Sequence, residues 1–270
     1  MTTTTTNVEI LQGDWDHLRV EKRRDRKTAT VVLDRPEKMN TLSYIARAHL
    51  NDIFDLLNRD DEVHVIILKG EGDRAFTSGG TIVQFMERHP EELSVLHKNV
   101  AAPERSPKPV IAQLQGYTFG VGLEIAMACD FRVASETTLL ALPELRLGMI
   151  PGSGGTQRIA RMVGLGRAKD MIMRARRIPA KEALDWGLLT MVVPQDELES
   201  AVDSLVDELL QFSPLATRVL KQVLNASQEG SLQSGLEIEG YAYGMLRSTA
   251  DFKEGVEAFA EKRKPNFTGE

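Results

Sequence analysis

The spacing of apolar positions changes near residue 155. Before it, short β-branched runs alternate with segments of helical period. Residues 20–27 and 28–34 read as two strands around a charged turn, with Val31-Val32-Leu33 as the apolar part and Arg35-Pro36 as the stop. Ser43 is placed to start a helix whose Ile45, Leu50, Ile53, Phe54 and Leu57 fall near helical spacing. Strands are predicted over 63–68 and 110–114, with a glycine turn and a helical stretch over 82–102 between them. A helix is predicted after Gly116, then short strands over 131–134 and 138–140. This alternation predicts an α/β layered domain.

Beyond residue 155 the strand pattern persists only at 190–193. Helices are predicted over 156–162, 167–173, 180–186, 196–211, 214–226, 231–247 and 251–262. The expected organisation is a flexible N-terminal tail over 1–14, an α/β core over 15–195 and a helical region over 196–270.

The most informative segment is Gly116–Asp130. From Phe119 to Cys129 every residue except Glu124 is apolar or glycine. A helix apolar on all sides has no solvent face and should be buried. A carboxylate within it is costly unless it is partnered or used, and burial moves its pKa toward the range useful for proton transfer. Glu124 is therefore either held by an arginine or by backbone N–H groups, or it is a proton-transfer group. Gly120 and Gly122 allow close backbone approach, and the unpaired N–H groups of the first turn favour negative charge. Val121 and Glu124, three residues apart, share one face.

Two further segments are candidates to complete a site. Gly70–Gly80 ends in Ser78-Gly79-Gly80, which either turns N–H groups inward or is a plain strand-to-helix turn. In Leu142–Gln157, Glu144 follows Pro143 in a mostly apolar stretch; it is a low-dielectric carboxylate or an ion-pair partner of Arg146. Gly152, Gly154 and Gly155 either shape the turn before the next helix or cradle a phosphate.

Composition narrows the classes. The 270 residues carry a net charge of −6, with 42% hydrophobic and 27% charged residues, as in a folded globular protein. No apolar run is long enough for a membrane helix. The acidic balance argues against nucleic acid as a partner. The single cysteine, Cys129, excludes an intrachain disulfide, fits a reducing compartment and reads as an inert core thiol. The polar N-terminus, Met1 followed by five threonines, is not a signal peptide. The basic cluster Lys22–Lys27 is broken by Asp25 and reads as a solvated hairpin. The five histidines show no metal-ligand spacing, so no metal is expected.

In order and spacing, Arg74–Ile82, Gly116–Asp130 and Pro143–Arg158 resemble the crotonase (enoyl-CoA hydratase/isomerase) superfamily. Arg35–Asn40, Ala180–Leu188 and Glu254–Arg263 match it too, so the resemblance spans about residues 15–267. It implies a ClpP/crotonase-like fold of repeated ββα units with a helical C-terminal trimerisation region, and a trimer or hexamer (a dimer of trimers). It also implies a lyase of acyl-CoA and fatty acid metabolism that hydrates a 2-enoyl-CoA thioester to a 3-hydroxyacyl-CoA; the cysteine usage makes a cytoplasmic setting the expectation. No cofactor is implied beyond the CoA of the substrate. Other chemistries of the superfamily are double-bond isomerisation and acyl-CoA or C–C hydrolysis; a non-catalytic CoA-binding paralogue is a further alternative. By the resemblance, Glu124 and Glu144 hold the water and move protons, and the N–H groups of Ser78 and Val121 form an oxyanion hole. Lys38, Met39, Gly79, Gly80, Thr81, Ile82, Gly120, Phe259 and Lys262 fall where substrate or CoA is bound.

Three positions depart from the hydratase pattern. Thr81 stands where aspartate is usual, Gly80 where alanine is usual, and Val121 replaces the central glycine of a triple-glycine run. Thr81 is expected to cap the following helix, and Val121 is expected to be strained if its φ is positive.

Overall fold

The computed structural model describes residues 8–270. Its larger sheet runs, in spatial order, β1 (Val8–Leu11), β2 (Leu18–Arg23), β3 (Thr28–Leu33), β4 (Val65–Gly70), β6 (Val110–Leu114), β8 (Phe131–Ser135) and β11 (Met191–Val193). The first three strands pair antiparallel and the rest parallel. Val65, Ile66, Ile67 and Leu68 are all buried, as expected of a parallel strand covered on both faces. A smaller sheet runs β10 (Ile178–Pro179), β9 (Leu139–Ala141), β7 (Tyr117–Phe119) and β5 (Ala75–Thr77). The pairs β4–β5, β6–β7 and β8–β9 thus each place their first strand in the large sheet and their second in the small one. Helices follow each pair: α2 (Pro90–Ser94), α3 (Leu96–Val100) and α4 (Ala102–Arg105) after β5; α5 (Val121–Ala128) after β7; α6 (Gly155–Val163) and α7 (Leu165–Met173) after β9. This is the expected repeat of ββα units.

The β3–β4 connection is α1 (Tyr44–Arg59). Ser43 caps it by accepting the Ala46 N–H at 2.9 Å, which satisfies one unpaired first-turn donor. Its buried face is Ala46, Arg47, Leu50, Ile53, Phe54 and Leu57. Ile45, counted in the apolar stripe, is instead 51% exposed, and Arg47 lies on the buried side.

Other differences have local causes. The helix expected over 82–102 is a 3-10 segment, Ile82–Glu87, followed by three short helices. Pro90 opens the first of them and Pro103 is the second residue of the last; proline is tolerated in a first turn but lacks the N–H that a continuing helix needs. Residues 117–119 form β7 before the helix expected from Gly116 begins. The strands β1, β5, β7 and β10 are at most four residues long, too short for a periodic signal. Residues 1–7 of the expected tail lie outside the described residues; the remainder contains β1, which pairs with β2.

The chain divides into two units. The first runs to Ser106 and resumes over Val110–Asp203; the second is Pro107–Pro109 with Ser204–Glu270. The first also holds α8 (Ala180–Asp185), and α9 (Leu198–Leu209) spans the division. The division falls at residues 203/204, inside the region expected to begin at 196. The second unit continues with α10 (Pro214–Ala226), α11 (Leu232–Leu246) and α12 (Ala250–Glu261). Buried Asp251 accepts from Ser213 Oγ at 2.5 Å, Thr268 N at 2.7 Å and Gly269 N at 3.0 Å, which ties down the C-terminal residues. Lys221 Nζ donates to the Lys108 carbonyl at 3.0 Å. α11 has no buried residue, although it carries Leu232, Leu236, Ile238, Tyr241 and Tyr243.

The step from the large sheet to the small one between β6 and β7 passes through Gln115-Gly116. Gln115 Nε2 donates to the carbonyls of Gly70 (2.8 Å) and Gly72 (2.9 Å). Gly116 has φ +54°, and a Cβ there would lie 2.0 Å from the Arg74 carbonyl oxygen. Gly116→Ala is expected to destabilise the protein by roughly 2–6 kcal/mol, from left-handed strain plus backbone overlap. Urea unfolding measures this; an unchanged midpoint would refute it.

Candidate active site

All eight residues of α5 are buried, and Glu124 is 2% exposed. The helix is entered through Gly120, whose φ of +54° and lack of a capping side chain leave the Val121 N–H free at the helix N-terminus. The positive φ falls on Gly120 and not on Val121, so the strain considered for Val121 does not arise. At the far end, buried Arg132 donates to the carbonyls of Cys129 (2.7 Å), Ala126 (3.4 Å) and Leu188 (2.7 Å). A cation there complements the negative end of the helix.

Glu124 is held by backbone N–H groups and not by an arginine. Its Oε1 accepts from Ser153 N at 2.8 Å and Gly155 N at 2.9 Å. The glycine turn over 152–155 therefore cradles a carboxylate of the protein itself. Gly154 takes φ +100°, and a Cβ on Gly155 would lie 2.9 Å from Glu124 Oε1. Burial pushes the Glu124 pKa up, against the two N–H bonds and the Arg47 charge, which pull it down.

Glu144 opens the 3-10 turn Glu144–Leu147. Its Oε1 is 3.2 Å from where a Gly120 Cβ would stand, so Gly120 leaves room for it. Its Oε2 is buried without a hydrogen-bond partner. Arg146 does not pair with it; Arg146 Nη2 reaches the Ala175 carbonyl at 3.4 Å. Burial, with the nearby Glu124 charge, raises the Glu144 pKa to about 7. Two carboxylates on different elements thus meet at the N-terminal turn of α5.

The loop after β5 completes this region. The Thr77 hydroxyl accepts the Gly79 N–H at 3.0 Å, and a Gly79 Cβ would lie 3.5 Å from the Phe119 carbonyl oxygen. Ser78, implied as an oxyanion donor, commits its N–H to the Met39 carbonyl at 2.9 Å, and the Thr81 N–H goes to the Leu42 carbonyl at 2.9 Å. The Gly80 N–H has no hydrogen-bond partner among the described residues. The free donor of this loop is therefore two residues beyond the expected one. Thr81 makes no side-chain cap, and its Oγ1 is buried without a partner, because the segment after it is a short 3-10 turn. Ile82 is half exposed. Lys38 ends a 3-10 turn, and Met39 follows with φ 51°. The Asn40 side chain braces this segment, accepting from Arg35 N and donating to the Glu71 and Ala75 carbonyls. Phe259 and Lys262 belong to the second unit, where Phe259 is 86% exposed and Lys262 ends α12 with φ 56°.

One residue of the site escaped the sequence reading. Arg47 is 3% exposed, and a Cβ on Gly80 would lie 2.0 Å from its Nη2. Its charge acts on both Glu124 and Glu144. The signal was its spacing: three residues before Leu50 and seven before Phe54, it is a charge on an apolar stripe.

Among the described residues there is no group of three or more His, Cys, Asp and Glu side chains able to hold a metal ion. Cys129 is buried, with Sγ 3.4 Å from the Ile125 carbonyl. No described helix is long and apolar enough to cross a membrane.

Residues 23–270 match the family model described as enoyl-CoA hydratase/isomerase. The chain is 36% identical over 245 residues to the short-chain-enoyl-CoA hydratase of Clostridium acetobutylicum, covering 89% of this chain and 94% of that protein. It is 36% identical over 258 residues to the crotonyl-CoA hydratase of Syntrophomonas wolfei, covering 94% and 98%. The crystal structure of an enoyl-CoA hydratase from Bacillus anthracis superposes with a TM-score of 0.86 at 34% identity, covering 98% of this chain and 100% of that one. Taken with the ββα repeat and the glutamate pair, these likenesses establish that the chain belongs to the enoyl-CoA hydratase/isomerase family and has the crotonase fold.

Proposed function

We propose that this protein adds water across the double bond of a 2-enoyl-CoA thioester. The observation that carries the reading is the meeting of a buried, hydrogen-bonded carboxylate, Glu124, and a half-buried, unpartnered one, Glu144, beside the N–H groups of Gly80 and Val121, which are free among the described residues. Attack of water on Cβ sends the electron pair toward the thioester carbonyl. The resulting enolate oxygen sits on the Gly80 and Val121 N–H groups; one such donor is worth about 10²–10³ in rate. Glu124, whose charged form its two N–H bonds favour, takes the proton from water. Glu144, with its pKa near 7, is the acid that protonates Cα. A proton then returns from Glu124 to Glu144, and the cycle closes with no group beyond the chain and the substrate. The pair of carboxylates favours hydration over isomerisation, which needs one base.

Lys38, Met39, Gly79, Thr81, Ile82 and Gly120 are assigned to the acyl-CoA path. Phe259 and Lys262 are assigned to a CoA, including one held by a neighbouring subunit. The exposed apolar residues of α11 support self-association into a trimer or a dimer of trimers. The lone buried cysteine supports a cytoplasmic setting.

Glu124→Gln and Glu144→Gln are each expected to lower kcat for crotonyl-CoA by about 10²–10⁴-fold, read as loss of the conjugated-enoyl absorbance decay; near-wild-type turnover in both would sink the assignment. Because Glu144 must be protonated to act, kcat/KM should fall as pH rises through about 7. A profile flat across neutrality would contradict its role as the acid. Mass spectrometry of an acyl-CoA panel should show products heavier by one water, whereas free CoA would indicate thioester hydrolysis. Light scattering should give three or six times the 30.0 kDa chain mass, and a monomer would refute the assembly.

A further inference from the structure

Among the described residues two arginines are buried, Arg132 and Arg47, and Arg132, like half-buried Arg158, is tied to fixed acceptors. Arg132 donates to three carbonyls. Arg158 pairs with Glu104 and donates to the Ser153 carbonyl at 3.2 Å. Arg47 has neither: no guanidinium nitrogen of it donates a hydrogen bond or forms an ion pair among the described residues, and Nε is buried without a partner. Its one close partner is the Phe85 ring, 4.9 Å away and under the guanidinium. Burial lowers its pKa to about 10, which still leaves it charged at neutral pH.

A desolvated, unpaired cation is among the least favourable states in a protein interior. The chain nevertheless makes room for this one. A Cβ on Gly80 would overlap Arg47 Nη2 at 2.0 Å and approach Phe85 Cζ at 3.6 Å. The glycine standing where hydratases usually have alanine is therefore the residue that Arg47 requires. Neither site glutamate neutralises it through contact: Glu124 is held by Ser153 and Gly155, and Glu144 Oε2 has no partner. The guanidinium thus stands beside the free N–H of Gly80 with its donors uncommitted.

We propose that Arg47 is a specificity-determining residue that binds a carboxylate carried on the acyl chain, so that the preferred substrates are CoA monothioesters of short dicarboxylic acids. This deepens the hydratase reading and rests on it for the reaction. A guanidinium matches a carboxylate through two parallel N–H···O bonds, and a substrate anion would supply the partner that the protein omits. Phe85 fixes the plane of the fork from below.

The test compares acyl groups equal in carbon count and different in the terminal carboxylate. Calorimetric binding of glutaryl-CoA and valeryl-CoA, which are saturated and cannot be hydrated, reads the inference independently of catalysis. Hydration of glutaconyl-CoA and 2-pentenoyl-CoA reads it together with catalysis. The wild-type protein should favour the carboxylated member of each pair by about 10- to 100-fold. Arg47→Leu, an apolar replacement suited to burial, should abolish the preference while changing valeryl-CoA affinity little. Gly80→Ala should reduce the preference with Arg47 still present, by displacing the guanidinium. Should Arg47→Leu not fold, Arg47→Lys, which keeps the charge without the fork, should show a weakened preference. Equal or tighter binding of valeryl-CoA by the wild type overturns the inference. So does a proportional loss on both substrates in the Arg47 variants, which would make Arg47 a general support of the enolate. A carboxylate preference in binding without turnover of either enoyl thioester would instead remove the hydratase reading and leave the carboxylate site standing.

Discussion

The structure depends on keeping one carboxylate inside an apolar helix. Removing an ion from water costs several kcal/mol even after the protein relaxes, and α5 offers Glu124 no solvent face. The cost is offset locally. Two N–H groups from the glycine turn over 152–155 converge on one carboxylate oxygen, and the turn can do so only without side chains at Gly154 and Gly155. Arg132 fixes the opposite end of the same helix. The ββα repeat serves this arrangement by delivering three loops, after β5, β7 and β9, to the same end of the small sheet.

Two carboxylates of one residue type acquire different chemistry from their surroundings. Glu124 has two strong hydrogen bonds that favour its charged form, whereas Glu144 has a buried oxygen with no partner and a pKa near 7. Burial raises the pKa of both, so it is the two N–H bonds on Glu124 that favour the base role there and their lack on Glu144 that favours the acid role. Arg47 adds a third charge, and of the three groups only Glu124 is held by fixed hydrogen bonds among the described residues.

Much of this was legible in the chain. The all-apolar surroundings of Glu124 announced a buried carboxylate before any helix was placed, and the spacing of the glycine segments carried the family. The parts that were not legible were short or non-local. Three-residue strands such as β5 and β7 give no period to read. The helix expected over 82–102 is broken before Pro90 and again at Val95, the second time with no proline to mark it. Arg47 lies on the stripe of Leu50 and Phe54, but its charge hides it from an apolar periodicity, which picks out the exposed Ile45 instead.

The sequence by itself determined that a carboxylate would be buried, that glycines would line its surroundings and that the chain would alternate strands with helices, because these follow from composition and local spacing. Which N–H groups remain free was decided only by the tertiary structure. Ser78 and Gly80 are two residues apart in one glycine loop and look alike as donors. The Met39 carbonyl takes one N–H, and no group among the described residues takes the other. The same holds for the glutamates and for Arg47: a side chain's charge is written in the sequence, but whether that charge is answered depends on atoms that only folding brings within reach.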